Sequence, residues 1–325
     1  MSYQIKILIL SFITSIIVSL IIIPILKRLK VGQIERADGP ESHFKKQGTP
    51  TMGGVVMIIS ILVIAVFMYF QYIKSEPTVA KNLIPLVLIT IGFGIVGFID
   101  DFKKLVLKNT DGLKPALKML GLLIISVAFV IFILQFMNIG TETLIPIIKQ
   151  YIKIPMLIYI PFAIVVMLGA TNAVNLTDGI DGLATSITTI IIATLTVIGI
   201  VQEVKEIVIL GSIICGVNLG FLLFNMHPAK VFMGDTGSLL LGGAIASMSL
   251  YLKIPLILLI VALIPVIETI SVIMQVVYFK KTGKRIFKMT PIHHHFELSG
   301  WRENKIVTVF SIATLLVCVI GLNII

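Results

Sequence analysis

The stretch Leu83–Asp101, LIPLVLITIGFGIVGFIDD, is uncharged through Ile99 and then ends on two adjacent carboxylates, Asp100 and Asp101. Roughly 20 apolar residues match the hydrocarbon thickness of a bilayer, and in lipid a helix satisfies all of its own backbone groups. The run therefore reads as a membrane-spanning helix. A carboxylate pair at its end must stay at the membrane–water interface or be held by a cation.

Working outward, the same pattern repeats. The chain of 325 residues is 57% hydrophobic and only 13% charged, against roughly 25% charged in soluble domains. Ten spans are expected, at about 5–26, 52–72, 82–99, 116–137, 154–174, 183–201, 207–225, 237–252, 254–279 and 305–324. The expected fold is all-α: one polytopic membrane domain over residues 1–325, with both termini outside and a cleft on the cytoplasmic face. The first run reads as an uncleaved helix, since no basic leader or small-residue cleavage site accompanies it. Cys215 and Cys318 lie inside apolar runs and read as small buried hydrophobes.

The loops sort by charge. One alternate set, with Lys118 counted beside its loop, holds 19 of the 26 Lys and Arg residues, all five histidines and most of the acidic groups. The positive-inside rule assigns that set to the cytoplasm. The net charge of +10 flanks the spans, where it sets orientation and attracts anionic lipid; it does not point to nucleic acid.

Five polar clusters share that face. Asp100 and Asp101 repel each other unless a cation sits beside them, and Mg²⁺ suits such oxygen ligands; the plainer reading has Lys103 and Lys104 neutralise them. In NAVNLTDGIDG, Asn172, Asn175, Asp178 and Asp181 recur every three residues, and on a helix they would line one face. Such a strip suits a nucleobase, a sugar or a metal, although TDG and DG are also ordinary turn signals. In VFMGDTGS, Asp235 lies among Gly234, Thr236, Gly237 and Ser238 at a helix start, where free N–H groups favour phosphate and the aspartate either recruits Mg²⁺ or caps the helix. In PIHHHFE, His293, His294 and His295 diverge, which excludes one zinc bound by all three, but they can meet phosphates. In HFKKQGTPTMGG, Lys46 and Thr51 form a basic, hydroxyl-rich approach to a helix without the P-loop spacing. Glu268 lies inside a span, with Gln275 further along the same run, and an ionisable group there is a functional candidate or a hydrogen-bonded structural one.

In this order and on these loops, DDFKK, NAVNLTDGIDG, FNMHPAKVFMGDTGS and PIHHHFE resemble the polyprenyl-phosphate N-acetylhexosamine-1-phosphate transferases. The PIHHHFE form and the GTPTMGG segment are similar to that family's branch of bacterial phospho-N-acetylmuramoyl-pentapeptide transferases. The resemblance runs from about Arg36 to Glu303. It implies transfer of phospho-MurNAc-pentapeptide from UDP-MurNAc-pentapeptide to undecaprenyl phosphate, with UMP released, Mg²⁺ required, a homodimer in the bacterial cytoplasmic membrane, and an active site facing the cytoplasm. It further implies Asp235 as the Mg²⁺ ligand, Asp100 as the base with Asp101 its catalytic neighbour, and His294 and His295 in a catalytic motif. Lys46, Asn175, Asp178, Asp181, Asn225, Phe232 and Gln275 fall where the family contacts the nucleoside or its sugar-phosphate neighbourhood. Thr51, Asn172, Gly234 and His293 join the expected substrate contacts.

Three alternatives stay open: a polyprenyl-phosphate GlcNAc-1-phosphate transferase, a membrane prenyltransferase and a transporter. A prenyltransferase would lack the histidine triplet and the Asn strip. A transporter would hold its carboxylates near the midplane, often in repeated halves. Direct attack by the lipid phosphate is favoured over a phosphoryl-enzyme, because a phosphate monoester is already anionic near neutral pH.

Overall fold

The structure, a computed structural model, describes residues 2–29, 48–105 and 112–324. The elements in chain order are α1 (Tyr3–Arg28), α2 (Gly54–Tyr72), α3 (Pro77–Leu105), α4 (Pro115–Gln135), a hairpin of β1 (Glu142–Ile145) and β2 (Gln150–Lys153), α5 (Met156–Thr177), α6 (Leu183–Val201), α7 (Lys205–Asn225) and α8 (Gly234–Tyr251). A 3₁₀ turn (Pro255–Ile257), α9 (Leu258–Val261), α10 (Leu263–Thr282), α11 (Ile292–Glu297) and α12 (Glu303–Ile324) complete the chain. Among the described residues, nine of the long helices are long and apolar enough to cross a membrane. The tenth, α8, has 18 residues and packs against α2, α3, α5 and α6. Its interior position removes the need for a lipid-facing apolar surface, so small and hydroxyl residues serve it. The all-α polytopic expectation holds.

The packing follows from small side chains. On α1, Ser11, Ser15 and Ser19 recur at one turn and are all fully buried. Ser15 Oγ donates to the Val217 carbonyl of α7 at 2.8 Å. Small polar residues of this kind let helices approach closely where lipid supplies no hydrophobic drive. Gly97 of α3 and Gly54 of α2 do the same for α8: a Cβ on Gly97 would strike the Asp235 carbonyl, and one on Gly54 the Gly237 backbone. These contacts fix the start of α8 against two neighbours, and thereby set where Asp235 stands.

Two sequence expectations need correction. The span expected at 254–279 is broken at Ala262 (φ −102°, ψ 29°), between α9 and α10. Pro265 is the cause, since it offers no N–H to the carbonyl four residues back and its ring crowds that carbonyl. The freed Val261 carbonyl instead accepts the Cys318 thiol of α12 at 3.5 Å. Both cysteines are buried and free, as expected. The loop expected at 138–153 contains the β1–β2 hairpin, paired Glu142↔Lys153 through Ile145↔Gln150. Leu144 N–H donates to the Lys253 carbonyl, and Lys253 Nζ pairs with Glu142 at 2.7 Å, which ties the hairpin to the end of α8.

Because the long helices alternate in direction, Thr51, Asp100, the α5–α6 link, the α7–α8 link and α11 gather at one end. The hairpin and both chain ends gather at the other, with Lys149 Nζ bonded to the Asn323 carbonyl.

Candidate active site

Asp101 lies in the last turns of α3 and is only 4% exposed. Its Oδ1 accepts the Asp235 N–H at 3.2 Å, and its Oδ2 accepts the Thr236 N–H at 2.9 Å and the Thr236 hydroxyl at 2.6 Å. The Gly234 N–H turns to the Asp178 carboxylate. This corrects the expectation that the start of α8 offers free N–H groups to phosphate. Two carboxylates from distant segments already meet these donors, which is the electrostatic demand of a helix N-terminus. Asp101 is therefore the group that fixes α8 against α3.

Asp100, one residue earlier, faces a different way. Its Oδ1 accepts the Leu113 N–H at 2.7 Å. Its Oδ2 lies 2.7 Å from Lys104 Nζ and 3.5 Å from Lys118 Nζ. The same two ammonium groups reach Asp235 Oδ2, at 3.0 Å and 2.7 Å respectively. The carboxylates of Asp100 and Asp235 are also within hydrogen-bonding reach of each other. Residues from α3, α4 and α8 thus form a four-membered charge cluster. Lys104 does neutralise Asp100, as the plainer reading held, but it also bridges to Asp235, 131 positions away.

The Asn strip is not one continuous helical face. α5 ends at Thr177, and Gly182 adopts a left-handed conformation (φ 75°) that starts α6 in a new direction. The turn signals won over the helical period. Asn172 Nδ2 bonds back to the Leu168 carbonyl. Asn175 Nδ2 donates to Asp235 Oδ1 and to Ser238 Oγ, both at 2.8 Å. Asp178 follows in the link, where loss of solvent, and then the charges of Asp235, Asp101 and Asp181, push its carboxyl up to about 8, against the Gly234 N–H. Asp181 turns to the α7–α8 link: its Oδ2 accepts the Ala229 N–H at 3.0 Å and lies 3.0 Å from His227 Nδ1. His227 Nδ1 is also 3.7 Å from Glu303 Oε2.

The three histidines diverge, as expected, on the short helix α11. His293 is fully buried, with Nδ1 3.1 Å from Glu268 Oε1. Its Nε2 points at Gly179, where a Cβ would collide with it, so a glycine between Asp178 and Asp181 admits the ring. His294 Nδ1 lies 2.8 Å from Glu297 Oε2. His295 Nδ1 accepts the Lys288 N–H at 3.2 Å. The buried partner of Glu268 favours the structural reading of that residue.

Other expected contacts turn inward. Gln275 braces the loop before α11, accepting from the Ile286 and Phe287 N–H groups and donating to the Phe287 carbonyl. Asn225 Oδ1 accepts the Thr185 hydroxyl and its Nδ2 donates to the Val231 carbonyl. The Phe232 backbone pairs with Pro50 and Gly53, which brings the 50–53 segment against Gly234 and sets Thr51 beside it. Lys46 lies outside the described residues.

The structure therefore gathers Asp100, Asp101, Asn175, Asp178, Gly234 and Asp235 in one place, and joins them to His293 through Gly179. Lys104 and Lys118 belong to the same cluster, but in the sequence Lys118 reads only as an orientation charge. The set of potential ligands around Asp235 is oxygen-rich, with Asp100 and Ser238, which suits a hard divalent cation such as Mg²⁺. The ammonium groups lodged between the Asp100 and Asp235 oxygens stand in for cationic charge there.

Residues 83–253 match the model of glycosyl transferase family 4. The chain is 45% identical to the phospho-N-acetylmuramoyl-pentapeptide-transferase of Acetivibrio thermocellus over 98% of this chain and 94% of that protein. It is 48% identical to the protein of the same name from Halalkalibacterium halodurans, over 93% of this chain and 91% of the other. A third such protein, from Clostridium botulinum, is 46% identical over 97% of this chain and 94% of its own length.

Proposed function

The chain belongs to the phospho-N-acetylmuramoyl-pentapeptide transferases of glycosyl transferase family 4, and from that premise we propose that its reaction centre is the cluster of Asp100, Asn175, Asp178 and Asp235 with Lys104 and Lys118. It is a membrane transferase that forms the first lipid-linked precursor of peptidoglycan, from a nucleotide-sugar-peptide donor and a lipid carrier. The donor in this proposal is UDP-MurNAc-pentapeptide and the acceptor undecaprenyl phosphate. The homodimer, the bacterial cytoplasmic membrane and the cytoplasm-facing cleft belong to the proposal too.

One observation carries the assignment: side chains from α3, α4 and α5 converge at the Asp235 carboxylate of α8. Asp235 would hold Mg²⁺, with the Asp100 carboxylate beside it. A divalent cation there offsets negative charge on the phosphoryl oxygens. Lys104 and Lys118 add positive charge from the chain itself. Asn175, Asp178 and Asp181 orient the nucleotide side of the donor, with Asp181 steadied by His227 and Ala229.

In the direct route, an oxygen of the lipid phosphate attacks the sugar-linked phosphorus. A new P–O–P bond forms, the bond from the sugar-linked phosphorus to the bridging oxygen of the donor breaks, and UMP leaves with that oxygen and its electron pair. Asp100 takes the proton of an acceptor that arrives as the monoanion and releases it to water. One phosphoanhydride replaces another, so the reaction is readily reversible.

The acceptor's tail needs an apolar path to this end. A cavity of about 330 Å³ lies between α5, α8 and α10, lined by Phe162, Val166, Gly169, Ala173, Ile245 and Val266 among others. Its lining is apolar and includes Val174, the residue before Asn175 in α5. This supports reading it as the seat of the isoprenoid chain.

The purified chain in detergent should release UMP from UDP-MurNAc-pentapeptide only when undecaprenyl phosphate is present, and should leave UDP-GlcNAc intact. Equal use of UDP-GlcNAc would overturn the substrate reading. A stoichiometric UMP burst without lipid phosphate, with label retained on the protein, would overturn the direct route. Light scattering of the detergent-solubilised protein tests the dimer.

A further inference from the structure

We propose that Lys104 and Lys118 act as an exchangeable internal counter-cation: they hold Asp100 and Asp235 together before the divalent cation binds, yield their places to it, and then neutralise the donor's phosphates. The inference rests on the reading of Asp235 as the metal-holding residue.

Three observations carry it. First, both ammonium groups touch both carboxylates, at 2.7 and 3.0 Å for Lys104 and 3.5 and 2.7 Å for Lys118. They therefore lie in the space that a cation bridging the two carboxylates would use. Second, the charges match. Two ammonium groups carry the charge of one divalent cation, so exchange leaves the cluster neutral, whereas simple addition would leave a surplus of +2 in a largely buried place. Asp100 is 3% and Asp235 19% exposed at the side chain, and unpaired charge is costly in such surroundings. Third, both lysines can withdraw. Lys104 sits in the last turn of α3 with a side chain 36% exposed, and Lys118 in the first turn of α4 at 19%. Each ammonium rides on a flexible four-carbon stem, so it can swing from a carboxylate to a phosphate without moving its helix.

The consequence is an ordered site. In the absence of metal the carboxylates do not repel, and α3, α4 and α8 stay docked. Once the metal is bound, two cations are displaced toward the opening just as a diphosphate needs them. Metal and donor binding are then coupled through the lysines, and the coupling is reciprocal.

Direct metal binding separates this role from a structural one. Mn²⁺ serves as the probe, and its free concentration is read by electron paramagnetic resonance with the full-length protein in detergent, without nucleotide. Lys118→Met and Lys104→Met should each bind Mn²⁺ about tenfold tighter than wild type, since each removes a competing unit charge a few ångströms from the metal. Lys118→Arg, which keeps the charge, should stay near wild type. At saturating Mn²⁺ the two methionine variants should bind UDP more weakly, so the two affinities move in opposite directions. A mere loss of packing would weaken both. Thermal unfolding in detergent, with and without Mn²⁺, gives a second measure: the metal should raise the melting temperature more in the methionine variants than in wild type.

Asp235→Asn tells the two failures apart. If it binds Mn²⁺ as wild type does, the assignment of Asp235 as metal-holding residue is wrong. If it loses Mn²⁺ while both methionine variants bind the ion no tighter than wild type, the exchange is overturned and the metal assignment stands.

Discussion

The Glu268 carboxylate, inside α10, faces His293 Nδ1 of α11 at 3.1 Å, and neither side chain reaches solvent. An acid within a span must be partnered, and this partner comes from outside that span. The pair pins α11 to α10 and drives His293 against Gly179, so a residue remote from the phosphates supports the turn that carries Asp178. Glu268→Ala should destabilise the protein by about 3 kcal/mol, the scale for stranding one member of a buried pair, and should weaken UDP binding. Glu268→Gln should recover part of both. Unfolding and UDP titration in detergent decide; an alanine variant that melts and binds as wild type would dissolve the link.

Asp178 should give the nucleotide a pH-dependent grip. Its carboxyl is pushed up to about 8, so it is mostly protonated at pH 7 and gains charge as the pH rises through 8. That charge repels an anionic ligand. UDP affinity should fall roughly fivefold between about pH 7 and 9, the worth of one unit charge at about 4 Å in a solvated site. Asp178→Asn should flatten this limb. Equal slopes in the two proteins would show that another group titrates.

Gly169 tests the acceptor path. A Cβ there meets nothing within 4 Å, since it faces the apolar cavity between α5 and α10. Gly169→Phe should fill that space at little cost to folding, raise the KM for undecaprenyl phosphate several-fold, and leave UDP binding unchanged. An unaltered KM for the lipid would assign the tail elsewhere.

Orientation is open to labelling. Cys215 and Cys318 are both buried, so the native chain is a quiet background for a membrane-impermeant maleimide. With the histidine-bearing end in the cytoplasm, a cysteine at Glu142 should label from outside intact cells, and cysteines at His227 or Arg285 should label only after lysis. Labelling at Arg285 in intact cells would invert the topology.

Much of this molecule is legible in the sequence, and the exceptions share a cause. The spans and the polar clusters stand out because each carboxylate is conspicuous in an apolar chain. Asp100, Asn175, Asp178 and Asp235 do meet, as the common end of their helices implies. What the sequence hides is pairing across distance. The N–H groups of α8 read as a phosphate seat because nothing local shows that Asp101, 134 positions earlier, already occupies them. Lys118 reads as an orientation charge because its bond to Asp235 joins α4 to α8. The break at Ala262 had a local signal in Pro265, but the thiol that completes it lies 57 residues away. The strip in NAVNLTDGIDG failed as a helix for a local reason: its glycines outweigh its period.

The burial of α8 bears on how the chain is built. At about 1.5 Å per residue its 18 residues cover about 27 Å, close to the hydrocarbon thickness, but it is not among the helices apolar enough to cross on composition alone. Presented alone to the insertion machinery, the segment should partition poorly, and a glycosylation-mapping assay on the isolated segment reads this directly. The long helices it packs against most, α2, α3, α5 and α6, precede it in the chain. On the ribosome α8 is therefore synthesised after the helices that will surround it, and it can enter the bilayer through protein contacts that its own hydropathy does not supply. At its tip Asp235 meets Asp101 through its N–H and Lys118 through its carboxylate as part of that late step, so a nascent chain that has not yet assembled its earlier helices has no means of assembling the reactive centre.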